Sequence, residues 1–419
     1  MEAASATPPG APPSGSNGGG AAGRLDARHL FALEEGTRHL NHGAFGATPL
    51  SLSAEQAEWR GRMEANPTRF FMTILPKALR HAAEAVAPFL GTEPERLGFV
   101  ANATEGVATV LRSLALGPGD QIVVTDHQYN AVRQLLAFMA QATGAEIVTV
   151  PLGLPLDPAE APAAIAAAIG PATRLVIVDH VASGSAVTFP VADIAALCRA
   201  QGVPLLIDGA HAPGLLALDI DAIDADYYVG NGHKWLMGPK SCAVLAVSPS
   251  AAPVHPLAIS HAFGQGFAAE FDKQGTRDMS AALTLPSAIR LHEALGGADL
   301  RAANRALALA AATDTARAMG TGLGATPSAF QSMVTIGLPR PLPATRETFA
   351  ALSAHLSENH RTEAAFTAIA GTVWLRISAQ VYNTFEDYEG LGPAVAEAVA
   401  AAAEATEAAA ANAAGEGAA

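Results

Sequence analysis

The chain has 419 residues and carries 25 Lys and Arg against 39 Asp and Glu, a formal charge of −14 at pH 7. That length exceeds what one small core needs and predicts two domains or one large domain with an appendage. The acidity, with no basic cluster, argues against nucleic acid or an anionic membrane as the main partner.

In chain order, residues 1–23 are rich in Gly, Pro and Ser and offer little to bury, so a disordered tail is expected. They lack the basic start and apolar stretch of a signal peptide, and no run in the chain is long enough to span a bilayer. From about residue 80 to 260 the β-branched runs RLGFVAN, QIVVTD, EIVTVPL, RLVIVDH, PLLIDGAH, YYVGNGH and CAVLAV are separated by segments of helical composition such as EGVATVLRSL and NAVRQLLAFMAQAT. This alternation predicts an α/β domain with a mostly parallel sheet, placed at residues 24–285 with its N-terminal segment joining the smaller domain. Beyond residue 285, long helical segments and the strand candidates QSMVTIGL and TVWLRIS predict a smaller α+β domain at residues 286–393. Residues 394–419, rich in Ala and Glu, predict a helix end that buries little and frays into a loose tail. Cys198 and Cys242 lie far apart in apolar surroundings, which fits buried thiols in a reducing, cytoplasmic setting and gives no reason to expect a disulfide or a metal site.

Ligands of open α/β sheets collect at the carboxyl ends of strands, so the residues after each apolar run are the candidates for chemistry. After LGFV, Ala103 and Thr104 open a helix whose N-terminus can hold an anion. After QIVVT comes Asp126-His127-Gln128-Tyr129, with groups able to stack on a flat ligand. After RLVIV comes Asp179-His180-Val181-Ala182-Ser183, and after PLLI comes Asp208-Gly209-Ala210-His211. A carboxylate at the end of an apolar strand is costly unless it meets a cation. Lys234, in the Gly-rich stretch GNGHKWLMGPK beside Trp235, is set to lose solvent, which lowers its pKa and frees its amine towards a carbonyl. Lysine, strand-end carboxylate and anion-binding turn are together the three handles of pyridoxal phosphate.

These residues resemble a fold-type I pyridoxal-phosphate enzyme of the class V aminotransferase family, within it the isopenicillin N epimerase-like group. The resemblance runs from Leu40-Asn41-His42-Gly43-Ala44-Phe45-Gly46 through the strand-end motifs above to Gly230-Asn231-Gly232-His233-Lys234-Trp235, Gly275-Thr276-Arg277-Asp278 and Leu375-Arg376-Ile377-Ser378. It implies a mostly parallel sheet of seven-stranded type, with Lys234 as the Schiff-base and proton-shuttling lysine. Asp208 would hold the pyridine nitrogen, with His211 and Ser183 near the ring oxygen. Ala103, Thr104 and His233 would bind phosphate, helped by Thr276 across the interface of a homodimer with shared sites. Arg376, assisted by Asn41, would grip the substrate carboxylate. The ring-stacking position falls among His127, Gln128 and Tyr129; Tyr129 is favoured because an amide stacks poorly, and Tyr129 or His127 are the candidates for a second acid/base.

The resemblance implies chemistry at the α-carbon of an amino acid, with epimerisation, β-elimination of a C–S bond and transamination as outcomes. Cysteine desulfurases of the family carry a nucleophilic cysteine near the carboxylate-binding arginine, whereas this chain has Trp374 and Ser378 there and no cysteine after Cys242. Persulfide formation on an enzyme thiol is therefore not expected. The loops around Arg69-Phe70-Phe71 and His261-Ala262-Phe263 are expected to shape the substrate side-chain pocket.

Overall fold

The computed structural model describes residues 27–416, with side chains to residue 407. The tail expected at residues 1–23 lies outside the described residues. Twelve strands occur among those described: β1 (Arg38–His39), β2 (Leu97–Val100), β3 (Gln121–Thr125), β4 (Glu146–Val150), β5 (Thr173–Asp179), β6 (Leu205–Asp208), β7 (Tyr227–Asn231), β8 (Ala243–Val247), β9 (Met333–Gly337), β10 (Thr362–Glu363), β11 (Ala365–Ile369) and β12 (Thr372–Ser378).

Seven of them form one sheet in the order β2-β8-β7-β6-β5-β3-β4. The neighbours from β7 to β4 are parallel, and β8 runs antiparallel to both β2 and β7. The all-apolar runs of β5 and β6 follow from this placement, because a central parallel strand is covered on both faces. Val176, Val178 and Ile207 enter one apolar cluster while Leu175, Ile177 and Leu206 enter the other, the alternation a strand imposes. The strand order reverses between β3 and β5, the place where such sheets open a crevice at their carboxyl ends.

A three-stranded antiparallel sheet, order β11-β12-β9, packs with the helices Ala298–Met319, Arg346–His360 and Leu391–Glu416. The last of these corrects the sequence reading. Leu391, Val395 and Val399 are buried along with Ala394, Ala398, Ala402 and Ala403, so the start of the alanine face is core rather than a frayed end. Alanine buries little area by itself, but it lets two helices approach closely. β1 pairs with β10 and so ties the N-terminal segment to the later part of the chain. β11 gave no signal in the sequence, since AFTAI alternates weakly and only its position beside β12 defines it.

The loop after β5 joins the two sheets. Thr335 Oγ1 donates to Ser185 O at 2.7 Å and Thr367 Oγ1 donates to Gly184 O at 2.9 Å. Among the described residues no helix is long and apolar enough to cross a membrane.

Candidate active site

β7 ends at Asn231, and the chain then folds back on itself: Gly238 N donates to Gly232 O and Met237 N to Lys234 O, each at 2.9 Å. This loop presents Lys234 inward. It also leaves no room at its flanks. A Cβ on Gly46, whose φ is +69°, would stand 2.1 Å from His233 O, and one on Gly214, φ +81°, would stand 2.6 Å from Leu236 N. His42 secures the loop from the other side, donating from Nε2 to Lys234 O at 3.0 Å while Nδ1 accepts from the Tyr382 hydroxyl at 2.9 Å.

Lys234 is buried, and burial together with the nearby Arg376 lowers its pKa to about 7, against the pull of Asp208 and Asp179. Its Nζ lies 2.9 Å from His211 Nε2, and Trp235 Nε1 lies 3.2 Å from His211 Nδ1. The indole N–H can only donate, so His211 Nδ1 must accept and the ring hydrogen must sit on Nε2. Nε2–H then donates to Lys234 Nζ, which requires a neutral amine with a free lone pair. Burial, above all, holds the imidazole pKa well below its usual value, so His211 stays neutral. Trp235, expected only to pack and desolvate, thus assigns the tautomer of its neighbour.

Two carboxyls face this pair from adjacent strands, Asp179 and Asp208, which are register partners at the ends of β5 and β6. Burial raises both pKa values, and the proximity of Asp208 pushes Asp179 further up. Asp208 Oδ1 accepts from Ala210 N at 3.1 Å and feels Lys234, while Asp179 Oδ2 is buried without a partner. Of the two, Asp208 is the better placed to carry a negative charge, because the Ala210 N–H favours its ionised form, and Asp179 is the one pushed further towards keeping its proton. The sequence offered Asp179 the same signal as Asp208, an acid closing an apolar strand, yet only the register shows that the two are adjacent.

The helix Ala103–Ser113 starts beside this group, at the end of β2. Asn102 Oδ1 caps it by accepting from Glu105 N at 2.9 Å. Ala103 N donates to Asn231 Oδ1 at 2.9 Å, so this N–H is used inside the protein and Ala103 supplies the turn rather than a free phosphate donor. Thr104 and the helix N-terminus keep that capacity. His233 Nδ1 lies 3.2 Å from Cys242 O, and burial lowers its pKa to about 4, leaving a neutral ring.

Arg376, on β12, closes the site from the smaller sheet. Its Nη2 donates to Asn41 Oδ1 at 3.1 Å, and its Nη1 donates to Ser183 O and, at 3.3 Å, to Ser183 Oγ. Ser183 thus offers its carbonyl and hydroxyl to the arginine, because the loop after β5 turns towards β12. Arg376 has no carboxylate within 4 Å among the described residues, and its Nε is buried and unpartnered. Burial lowers its pKa only to about 10, with Tyr129 opposing the shift, so the guanidinium stays charged. A buried cation with no anion is a receptor for one.

The Asp126-His127-Gln128-Tyr129 stretch divides in two. Asp126 caps the chain at Leu152 N and Gly153 N, each at 3.0 Å. His127 uses both ring nitrogens, Nδ1 to Ser185 Oγ at 2.7 Å and Nε2 to Gly153 O at 2.9 Å, which fixes the ring and leaves neither nitrogen free as a second acid/base. Gln128 is buried with both amide atoms unpartnered, and Tyr129 is 44% exposed. Tyr129, Ser183 and Phe366 line a cavity of about 370 Å³ at the crevice between the ends of β3 and β5. Thr276 lies exposed on the loop after the helix Phe267–Asp272, outside this group. Phe70 is in the apolar core and not in a pocket wall, while Phe263 is largely exposed.

Residues 52–391 match the family described as Aminotransferase class-V. The chain belongs to the class V aminotransferase family. It is 34% identical to isopenicillin N epimerase of Streptomyces clavuligerus over 395 residues, 88% of this chain and 97% of that protein. It is 30% identical to the L-cysteine desulfhydrase of Arabidopsis thaliana over 402 residues, 87% of this chain and 88% of that protein. The fold is also that of the cystine C-S lyase C-DES, solved in complex with its product cysteine persulfide, with a TM-score of 0.73, 22% identity, and coverage of 86% of this chain and 98% of that one.

Enzymes of the class V aminotransferase family work with pyridoxal phosphate, and this site fits that cofactor. A buried amine with its pKa lowered to about 7 stands near a buried carboxylate that makes no ion pair among the described residues, close to a capped helix N-terminus, and the unpartnered amide of Gln128 lines the adjoining cavity with Tyr129 and Ser183. The two thiols do not take part: burial pushes Cys198 up to about 11 and Cys242 higher still.

Proposed function

We propose that the protein is a pyridoxal-phosphate-dependent enzyme acting at the α-carbon of an amino acid, an epimerase of the isopenicillin N epimerase kind. The observation that carries this reading is the buried Lys234 amine, 2.9 Å from His211 in the Trp235–His211 relay, facing a site whose buried guanidinium has no anion. When bound, the cofactor supplies a carbonyl for amine capture and an electron sink for the bond broken at Cα. Arg376, held by Asn41 and Ser183, binds and orients the substrate carboxylate. Lys234 Nζ removes the Cα proton and holds it on its own face of the substrate. Asp208 keeps the negative charge that a protonated pyridine nitrogen needs, and Asp179 keeps its proton. Thr104 and His233 bind the phosphate group. Tyr129, half-exposed and close to Arg376, would stack on the bound ring, and its hydroxyl would deliver a proton from the face opposite Lys234.

A second reading, β-elimination of a C–S bond, rests on the similarity to L-cysteine desulfhydrase and on the fact that Lys234 alone suffices as its base. Transamination is the third. The protein acts as a homodimer in this proposal, with Thr276 reaching the partner's phosphate site; the exposure of Thr276 and of the large apolar side chains Phe45, Met72 and Phe263 supports an interface.

Incubation of the cofactor-loaded enzyme with L-amino acids in deuterated water separates these readings. Cα deuteration with inversion is the expected result. Pyruvate with released sulfur would replace the epimerase by the lyase, a pyridoxamine spectrum would replace it by the aminotransferase, and absence of Cα exchange with any amino acid would remove the whole proposal.

A further inference from the structure

The helices Arg346–His360 and Leu391–Glu416 pack against each other in the smaller part of the molecule, well apart in sequence from the motifs around Lys234. At one point of their contact His355 and His360, from the first helix, meet Glu397 from the second. His355 Nε2 lies 3.5 Å from Glu397 Oε1, and His360 Nε2 lies 3.3 Å from Glu397 Oε2. One ligand-type atom from each of the three side chains lies within 4.8 Å of the others. Both Nε2 atoms are buried and make no hydrogen bond, although a carboxylate is beside them.

That combination is hard to explain as a plain ion pair. An imidazolium would turn an N–H onto the carboxylate and draw it closer than about 3.2 Å, as hydrogen bonds of this type require. An ion held between the ligands gives a different spacing: bonds of about 2.0–2.2 Å in a tetrahedral site separate neighbouring ligand atoms by roughly 3.3–3.5 Å. The two observed separations, 3.5 Å to Oε1 and 3.3 Å to Oε2, are of that length and turn both carboxylate oxygens towards the space the imidazoles face, so either oxygen can serve as the ligand. The nearby cations are engaged elsewhere. Arg361 Nη2 donates to Glu35 O at 2.7 Å, and Arg38 Nη1 donates to Glu389 O at 2.8 Å.

We propose that His355, His360 and Glu397 form a binding site for a divalent transition-metal ion, with water in the fourth position. Two imidazoles and one carboxylate select zinc or a similar borderline ion over calcium or magnesium, which prefer oxygen ligands. The exposed side of Glu397 leaves the ion an entry path. The site clamps the C-terminal helix onto the helix Arg346–His360, so metal binding stabilises the folded chain without touching the catalytic groups.

The test is calorimetric titration of Zn²⁺ into untagged, chelator-treated protein carrying its own cofactor. One ion bound per chain, with a rise in melting temperature, is the expected result. Glu397→Gln and His360→Gln should each lose the stoichiometric event and the thermal shift, while keeping the cofactor's visible absorption and turnover. Retained absorption also shows that these variants fold. No stoichiometric binding by the wild type, or binding that survives unchanged in both variants, overturns the proposal. Either result leaves the proposed chemistry at Lys234 untouched.

Discussion

The two sheets bury positive charge in opposite ways. The seven-stranded sheet contributes Lys234, whose pKa falls to about 7 so that the amine is readily neutral. The three-stranded sheet contributes Arg376, equally enclosed, whose pKa falls only to about 10 and which keeps its charge. The same burial therefore yields a group that exchanges protons on one side and a permanent electrostatic anchor on the other. The neighbours enforce the difference: Trp235 donates to His211, which in turn donates to Lys234, whereas Asn41 and Ser183 offer only acceptors to Arg376.

The largest break in this comparison is Lys234→Ala. It removes the proton-exchanging half outright, so turnover should fall towards the upper end of the roughly 10²–10⁴-fold range set by a general acid–base group. The visible band of covalently bound cofactor should vanish with it. A variant that keeps both the band and turnover would place the chemistry on another residue.

Arg376→Gln removes the permanent charge while leaving Lys234 in place. KM for the amino acid should rise by about 30-fold or more, the roughly 2–5 kcal/mol effect of losing one member of a buried charge pair. The comparison is sharpened with an α-amide substrate: wild type should discriminate strongly against it, and the variant should not. Equal discrimination by both proteins would show that the carboxylate is bound elsewhere. One coupling is also expected, since Arg376 lowers the Lys234 pKa and its removal should raise it.

Trp235→Phe keeps the packing and deletes only the indole N–H. His211 is then free to carry its hydrogen on Nδ1 and to accept from a protonated Lys234, which stabilises the charged amine. In the unmodified protein the neutral fraction of Lys234 rises as pH passes about 7, and capture of added pyridoxal phosphate by cofactor-free protein should titrate there. The substitution should move that midpoint upwards by about one unit, the size of a single charge-assisted hydrogen bond. An unchanged midpoint would mean that the tautomer is fixed by something other than Trp235.

Much of this site was legible in the sequence because its signals are local. An acid or a Gly-rich turn directly after an apolar run marks the end of a parallel strand, and this placed Lys234, Asp208, His211 and the turn at Thr104. What was not legible depends on register and on contacts across hundreds of residues. Nothing in the sequence says that Asp179 stands beside Asp208, that the Ala103 N–H is spent on Asn231, or that the Trp235 indole N–H reaches His211. The Asp-His-Gln-Tyr stretch shows the limit plainly, since four adjacent polar residues point to three different surroundings. The helix at Leu391–Glu416 shows another, because alanine content predicts helix but not which face will be covered.

The smallest expected effect belongs to Ser183→Ala, and it discriminates best between two positions for this residue. The side chain loses a 3.3 Å bond to Arg376 Nη1, while the backbone carbonyl of residue 183 still accepts from the same nitrogen. If Ser183 serves the arginine, KM should rise by roughly 2- to 10-fold, matching about 0.5–1.5 kcal/mol for one hydrogen bond, and the cofactor's absorption should stay where it was. If the hydroxyl instead faced the cofactor ring oxygen, the absorption maximum and its pH dependence would move while KM stayed constant. The two outcomes fall on opposite sides of the comparison, one on the anchoring half of the site and the other on the proton-exchanging half, so one substitution with two readouts assigns the residue.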